Sequence, residues 1–265
     1  MDIIVCLKQV PDTNEVKINQ ETGTLIRDGV PSIINPDDRN GLEEALRLKD
    51  EIGAKVTVLT MGPPQAKDAL KEAIAMGADD VYLVSDRAFG GSDTWATATI
   101  LSAAIEKIGK YDLIICGRQA IDGDTAQVGP EIAEFLNIPQ ITYAKKITIK
   151  DEKILVNRFT ETGDYLMEVE FPALLTTIKE LNNPRYPTVK GIYKAYSEMK
   201  EEDMKTLTLK DLDVDITQIG LKGSPTNVYK SFVPTKSKES QIMNGTNKKE
   251  EADILMEALH NLNLI

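Results

Sequence analysis

Histidine is almost missing from this chain of 265 residues; it occurs once, as His260. That scarcity argues against Ser-His-Asp and Cys-His catalysis and leaves no histidine-based metal site. Cysteine is nearly as rare. Cys6 and Cys116 each end an apolar run, and a disulfide framework or metal cluster would need more of them at closer spacing. Buried free thiols are therefore expected, with no metal. Aromatic residues make up 5%, too few for a stacking platform that grips single-stranded nucleic acid. Basic residues are outnumbered, 31 to 42, for a net charge of −11, which argues against nucleic acid or an anionic membrane as partner. No apolar run approaches the ~20 residues of a membrane span. The start carries no basic segment ahead of an apolar stretch, so no signal peptide is visible and a cytoplasmic location is expected. Neither a Walker A pattern nor Gly-x-Gly-x-x-Gly follows the first apolar run.

What is present is alternation. Asp2 to Leu7, Lys55 to Thr60, Asp80 to Val84 and Tyr111 to Ile115 read as buried strands. Between and after them, helical spacing runs from Pro36 to Gly53, from Ala66 to Gly77, from Thr94 to Ile108 and from Glu131 to Leu136. Strand and helix alternating four times predict parallel, right-handed crossovers and a doubly wound, mostly parallel α/β sheet. Val16 to Ile26 reads as a small hairpin. After Pro139 the pattern changes: 141–149, 154–159, 165–171 and 174–178 are expected as strands of an antiparallel extension, and a short helix over 192–199. A polar tether, 236–249, then precedes an amphipathic helix carrying Leu255, Met256, Leu259 and Leu262. The expected organisation is one nucleotide-binding α/β domain over 1–225 and an arm over 226–265. The lone amphipathic helix must bury its stripe, on its own domain or on another chain.

The most informative stretch runs from Cys116 to Pro130. A buried strand leads in, a helix leads out, and between them lie glycines, aspartates, a threonine and a glutamine. Open parallel sheets bind ligands at strand C-termini, where a helix N-terminus offers unpaired N–H groups to a phosphate. A plain turn, with Asp124 or Thr125 as N-cap, is the alternative. Four more loops would share that edge: 6–9, 35–38, 61–64 and 85–93. A crevice without a protein nucleophile suits a cofactor that does the chemistry itself, so no catalytic residue is expected.

Several segments carry a resemblance: Val5-Cys6-Leu7-Lys8-Gln9-Val10-Pro11-Asp12, Ile34-Asn35-Pro36, Met61-Gly62-Pro63-Pro64, Ala75-Met76-Gly77-Ala78-Asp79 and Gly117-Arg118-Gln119-Ala120-Ile121-Asp122. In this order, over nearly the whole chain, they are similar to the electron transfer flavoprotein beta subunit. Leu181 to Pro187 resembles that family's partner-recognition segment, expected over 182–199. Thr162 and Leu166 depart from the family pattern. The stretch from Asp122 to Pro130, with Asn35-Pro36-Asp37-Asp38, resembles the electron-bifurcating branch, where the small residues Gly123, Ala126 and Gly129 would admit a pyrophosphate.

The resemblance implies a heterodimer with an alpha subunit, on which the 226–265 arm and its amphipathic helix would dock, FAD in the crevice (AMP in the housekeeping branch), and NADH as donor or NAD as acceptor. It also implies a flavin dehydrogenase and ferredoxin or flavodoxin as partners. Cys6, Asn35, Met61 and Gly117 would meet the adenosine end. Ala120, Asp122, Gly123, Thr125, Ala126, Gln127 and Val128 would surround the phosphates and ribityl chain, and Arg87, Phe89 and Thr94 would face NADH. Arg185, Tyr186 and Val189 would dock the dehydrogenase. Two readings compete: an AMP-binding docking subunit without a redox cofactor of its own, and a nucleotide-hydrolysing enzyme. The second is supported only by Phe89-Gly90-Gly91-Ser92-Asp93, which echoes the ATP pyrophosphatase loop but follows the third strand, not the first.

Overall fold

A computed structural model of the chain describes residues 1–12, 31–151, 153–200, 203–229 and 242–264. The hairpin expected over 16–26 and the 236–241 part of the tether lie outside the described residues.

β1 (Asp2–Cys6) lies inside the sheet, where its apolar run lets both faces be covered. Ile3 and Val5 face one way and Ile4 and Cys6 the other, each set fully packed. A short pair, β2 (Gln9–Pro11) with β3 (Ser32–Ile34), leads to α1 (Pro36–Ile52). Pro36 opens that helix, and Gly53 ends it in the left-handed conformation (φ 70°). β4 (Lys55–Met61), α2 (Lys67–Met76) and β5 (Asp80–Val84) step outward from β1 on one side. The chain then recrosses through α3 (Thr94–Ile108) to β6 (Leu113–Gly117), the other neighbour of β1. α4 (Val128–Phe135) follows. α1 and α2 cover the Ile3–Val5 face, and α3 and α4 cover the Ile4–Cys6 face. The sheet is doubly wound, as the alternation predicts.

The second half departs from the expected plain antiparallel extension. β7 (Gln140–Lys150), β8 (Lys153–Thr160) and β9 (Gly163–Glu170) do form an antiparallel meander. β10 (Ala173–Thr177) instead inserts between β6 and β7 and runs parallel to both. All five of its residues are buried, the mark of a central strand and not of a half-exposed one. α5 (Val189–Tyr193) is followed by a π-helical turn over Lys194–Glu198, β11 (Lys205–Leu207) pairs with β5, and α6 (Gly220–Gly223) closes the domain. Among the described residues the sheet order is β11-β5-β4-β1-β6-β10-β7-β8-β9.

Residues 242–264 fall in a separate unit built on α7 (Lys248–Asn261). The Asn247 side chain accepts from the Lys249 and Glu250 amides, and Leu255, Met256 and Leu262 are exposed.

Candidate nucleotide crevice

After β1 the connection turns toward β4; after β6 it turns the other way. These adjacent strands therefore form a topological switch point, where open α/β sheets leave a crevice beyond the strand C-termini. A cavity of about 1050 Å³ lies there. Cys6 and Cys116 form its floor; Met61, Pro63, Arg87, Phe89 and Thr94 line one side, and the loop from Gly117 to Gly129 the other.

The floor is drawn together by Asp38, in the first turn of α1. Its carboxylate accepts from the Lys8 amide (2.7 Å) and from the Gly117 amide (3.0 Å), joining the ends of β1 and β6. Burial pushes the Asp38 carboxyl up to about 7, against the pull of those same bonds. Gly117 is glycine because any Cβ there would collide with that carboxylate. Asn35, just before α1, performs the same service for the loop: Nδ2 donates to the Gln119 carbonyl (2.8 Å), and Oδ1 accepts from the Ile121 amide (3.0 Å). Lys8 Nζ pairs with Asp122 (2.7 Å), and Gln119 donates to Asp124 (2.8 Å). Asp124 and Ala126 take left-handed backbone (φ 51° and 54°), bending the loop back into α4.

The alternative reading, a turn capped by Asp124 or Thr125, is not what forms. Gln127 stands at the cap position and makes no side-chain cap hydrogen bond. Among the described residues the Val128 and Gly129 amides, which open α4 ahead of Pro130, receive no bond from the cap side chain, and both residues line the cavity. Beside it, a Cβ on Gly123 would meet nothing within 4 Å, so the backbone there borders open space. Gly129 is small for a different reason: its Cβ would come within 2.8 Å of Thr176 Cγ2. Uncapped amides and open space at Gly123 are what an anionic pyrophosphate needs.

Of the eleven residues expected around the cofactor, nine line the cavity: Cys6, Met61, Gly117, Ala120, Gly123, Thr125, Ala126, Gln127 and Val128. Asn35 and Asp122 do not; they hold the loop in place from behind, through the bonds above. Arg87, Phe89 and Thr94 line the opposite side, Phe89 as part of the core. Lys8, Asp38, Arg118 and Thr97 also line the cavity. The first three fall within loops expected at this edge, without a role of their own, and Thr97, inside the helix expected over 94–108, was not expected there. Ser92 and Asp93 of the glycine-serine loop are spent on local structure. Ser92 Oγ donates to the Phe89 carbonyl and accepts from the Gly220 amide; Asp93 caps α3 and accepts from Thr226.

The docking candidates lie away from the crevice. Tyr186 and Val189 are 87% and 86% exposed. Arg185 is engaged within the chain: Nε lies 2.9 Å from Glu43 Oε2 and Nη2 2.9 Å from Asp50.

A family model described as "Electron transfer flavoprotein domain" matches residues 22–212. Among curated relatives, "Electron transfer flavoprotein subunit beta" of Thermoanaerobacterium thermosaccharolyticum is 56% identical over 265 residues, covering all of both chains. The chain belongs to the electron transfer flavoprotein family, as a beta subunit. "Caffeyl-CoA reductase-Etf complex subunit CarD" of Acetobacterium woodii is 52% identical over the whole of both chains. "Acryloyl-CoA reductase electron transfer subunit gamma" of Anaerotignum propionicum is 51% identical over 263 residues, 96% of this chain and 97% of its own. Among the described residues no helix is long and apolar enough to cross a membrane, and no group of three or more His, Cys, Asp or Glu is placed to hold a metal ion.

Proposed function

We propose that this chain is the beta subunit of an electron-bifurcating electron transfer flavoprotein, with FAD in the switch-point crevice and NADH as its reductant. In this reading electrons would part between ferredoxin or flavodoxin and an FAD on the alpha subunit that would serve a flavin dehydrogenase. The observation that carries this reading is the size of the crevice beside an uncapped helix N-terminus. About 1050 Å³ stands at the upper end of the roughly 300–1,000 Å³ of small-ligand sites, which favours a dinucleotide over a mononucleotide. Two relatives are named for reductases of CoA thioesters, which supports a flavin-linked reductase of that kind as the partner.

FAD supplies acceptance of a hydride and release of single electrons; the chain's own residues bind and orient. The α4 amides and the Gly123 backbone would receive the pyrophosphate. Asn35 and Asp38 hold the loop and the strand ends in register for it. Cys6, Met61 and the end of β6 would form the floor under the adenosine, leaving Arg87, Phe89 and Thr94 on the side open to NADH. The visible spectrum of the purified heterodimer tests this: two flavins are expected, whereas one flavin with bound AMP would replace bifurcation by a docking role.

A further inference from the structure

The chain's two cysteines meet. Cys6 and Cys116 are register partners across the parallel β1–β6 ladder, and such partners point to one face of the sheet. They are 8% and 6% exposed, and both line the crevice. Two sulfurs so placed can be joined directly or through an atom between them. Neighbouring strands lie about 4.7–4.9 Å apart and register partners leave them side by side, whereas a relaxed disulfide wants Cβ atoms about 3.5–4.5 Å apart. A soft atom bonded at about 2.3 Å to each sulfur spans the gap without moving either strand. Among the described residues no third His, Cys, Asp or Glu joins the pair as a metal ligand. A four-coordinate ion is therefore not served, and the bridging atom must bring its remaining bond with it. Trivalent arsenic bearing one carbon substituent does so.

We propose that Cys6 and Cys116 form a two-sulfur site that captures one trivalent arsenical on the crevice floor, and that the arsenical and a bound nucleotide exclude each other. The first part stands on the cysteines alone; the second rests on the nucleotide reading above. With an arsenoxide, two As–S bonds form and the As–O bond breaks. The two thiol protons leave with that oxygen as water, and nothing is oxidised or reduced. Contact with Cys6 and burial both push the Cys116 thiol up, so it stays protonated and slow toward reagents that need a thiolate.

The chain has only these two cysteines, so the mass of the intact subunit reads the outcome without ambiguity. Nucleotide-free full-length protein treated with phenylarsine oxide should gain one phenylarsenic group per chain. The adduct should resist excess monothiol and come off with a dithiol. Cys6→Ser and Cys116→Ser, with Cys→Ala versions as a check on folding, should each hold the arsenical only until monothiol is added. Firm retention by a single variant, two groups per chain, no capture by the folded wild type, or a disulfide formed instead would overturn the site. Prior addition of FAD should slow capture about tenfold or more. Capture that is firm yet indifferent to FAD would leave the dithiol standing and sink the nucleotide reading.

Discussion

Two irregular segments, 118–127 and 178–188, follow buried parallel strands, and both are rooted on α1. The first turn of α1 and the residue before it tie down the crevice loop, through Asp38 and Asn35. The rest of α1 ties down the second segment. Asn40 exchanges hydrogen bonds with Asn182, Glu44 accepts from Asn182, and Glu43 and Asp50 hold Arg185. From there the two diverge. The crevice loop turns its backbone inward, over a cavity. The other segment presses its continuation against α2, where a Cβ on Gly191 would collide with the Ala75 carbonyl, and turns Tyr186 and Val189 outward. One polar helix thus separates the loop over the cavity from the segment that exposes Tyr186 and Val189.

The largest break in that comparison is at its shared post. Asp38→Ala leaves the Lys8 and Gly117 amides without their acceptor, at an expected cost of about 2–5 kcal/mol in denaturant unfolding. Asp38 also sets a pH signature. Its folded carboxyl lies above the ordinary 3.8, near 7, so the folded chain binds the proton more tightly than the unfolded one. Stability should therefore fall as pH rises from about 4 to 7, with a slope of at most about 1.4 kcal/mol per pH unit from this group. Asp38→Asn should flatten that slope; an unchanged pH profile would show that Asp38 does not titrate there.

Gly123→Val acts on the crevice alone. A branched side chain in the open space at the lip should cost one flavin per heterodimer and leave the melting temperature near wild type. Full flavin occupancy would remove Gly123 from the site. Glu43→Ala acts on the other branch. It strips the buried partner of the Arg185 guanidinium, for about 1–3 kcal/mol, and should speed amide exchange across 182–196 while the flavin count stays the same. Equal protection in both proteins would mean that Arg185 is not the root. The smallest expected effect on stability is that of Val189→Ala, ~0.5 kcal/mol or less, because its side chain touches little. Delivery of electrons to the dehydrogenase should nevertheless slow, with reduction by NADH unaltered. A wild-type delivery rate would place the docking surface elsewhere.

The parallel core was legible in the sequence because buried strands and amphipathic helices write periodic patterns. Thr94–Ile108 is a helix over the expected span, and Pro36 and Gly53 bracket α1 as their chemistry demands. What failed was pairing, which periodicity does not encode. Ala173–Thr177 looked like one more strand of a meander and is a parallel strand inside the main sheet. The polar residues of α1 were the other blind spot. Asp37, Asp38, Glu43 and Glu44 are all buried, which helical spacing does not announce. Their meaning depends on which distant amide or guanidinium arrives beside them, and one sequence does not say. The crevice loop was readable from its glycines and hydroxyls, but Gly117 and Gly129 are small to fit Asp38 and Thr176 and not a ligand.

The crossing of the chain from β5 back to the far side of β1 also sets an order of assembly. β1 is made first, yet its partner at the crevice floor is β6, and α4 comes later still. A chain emerging from the ribosome could pack β1, β4 and β5 with their helices while half of the floor and the whole uncapped helix end did not yet exist. Nucleotide could therefore act only once the chain has passed α4, when β7 to β11 are still to come. It would act on the join between the two halves of the parallel sheet and not as a template for the first three strands.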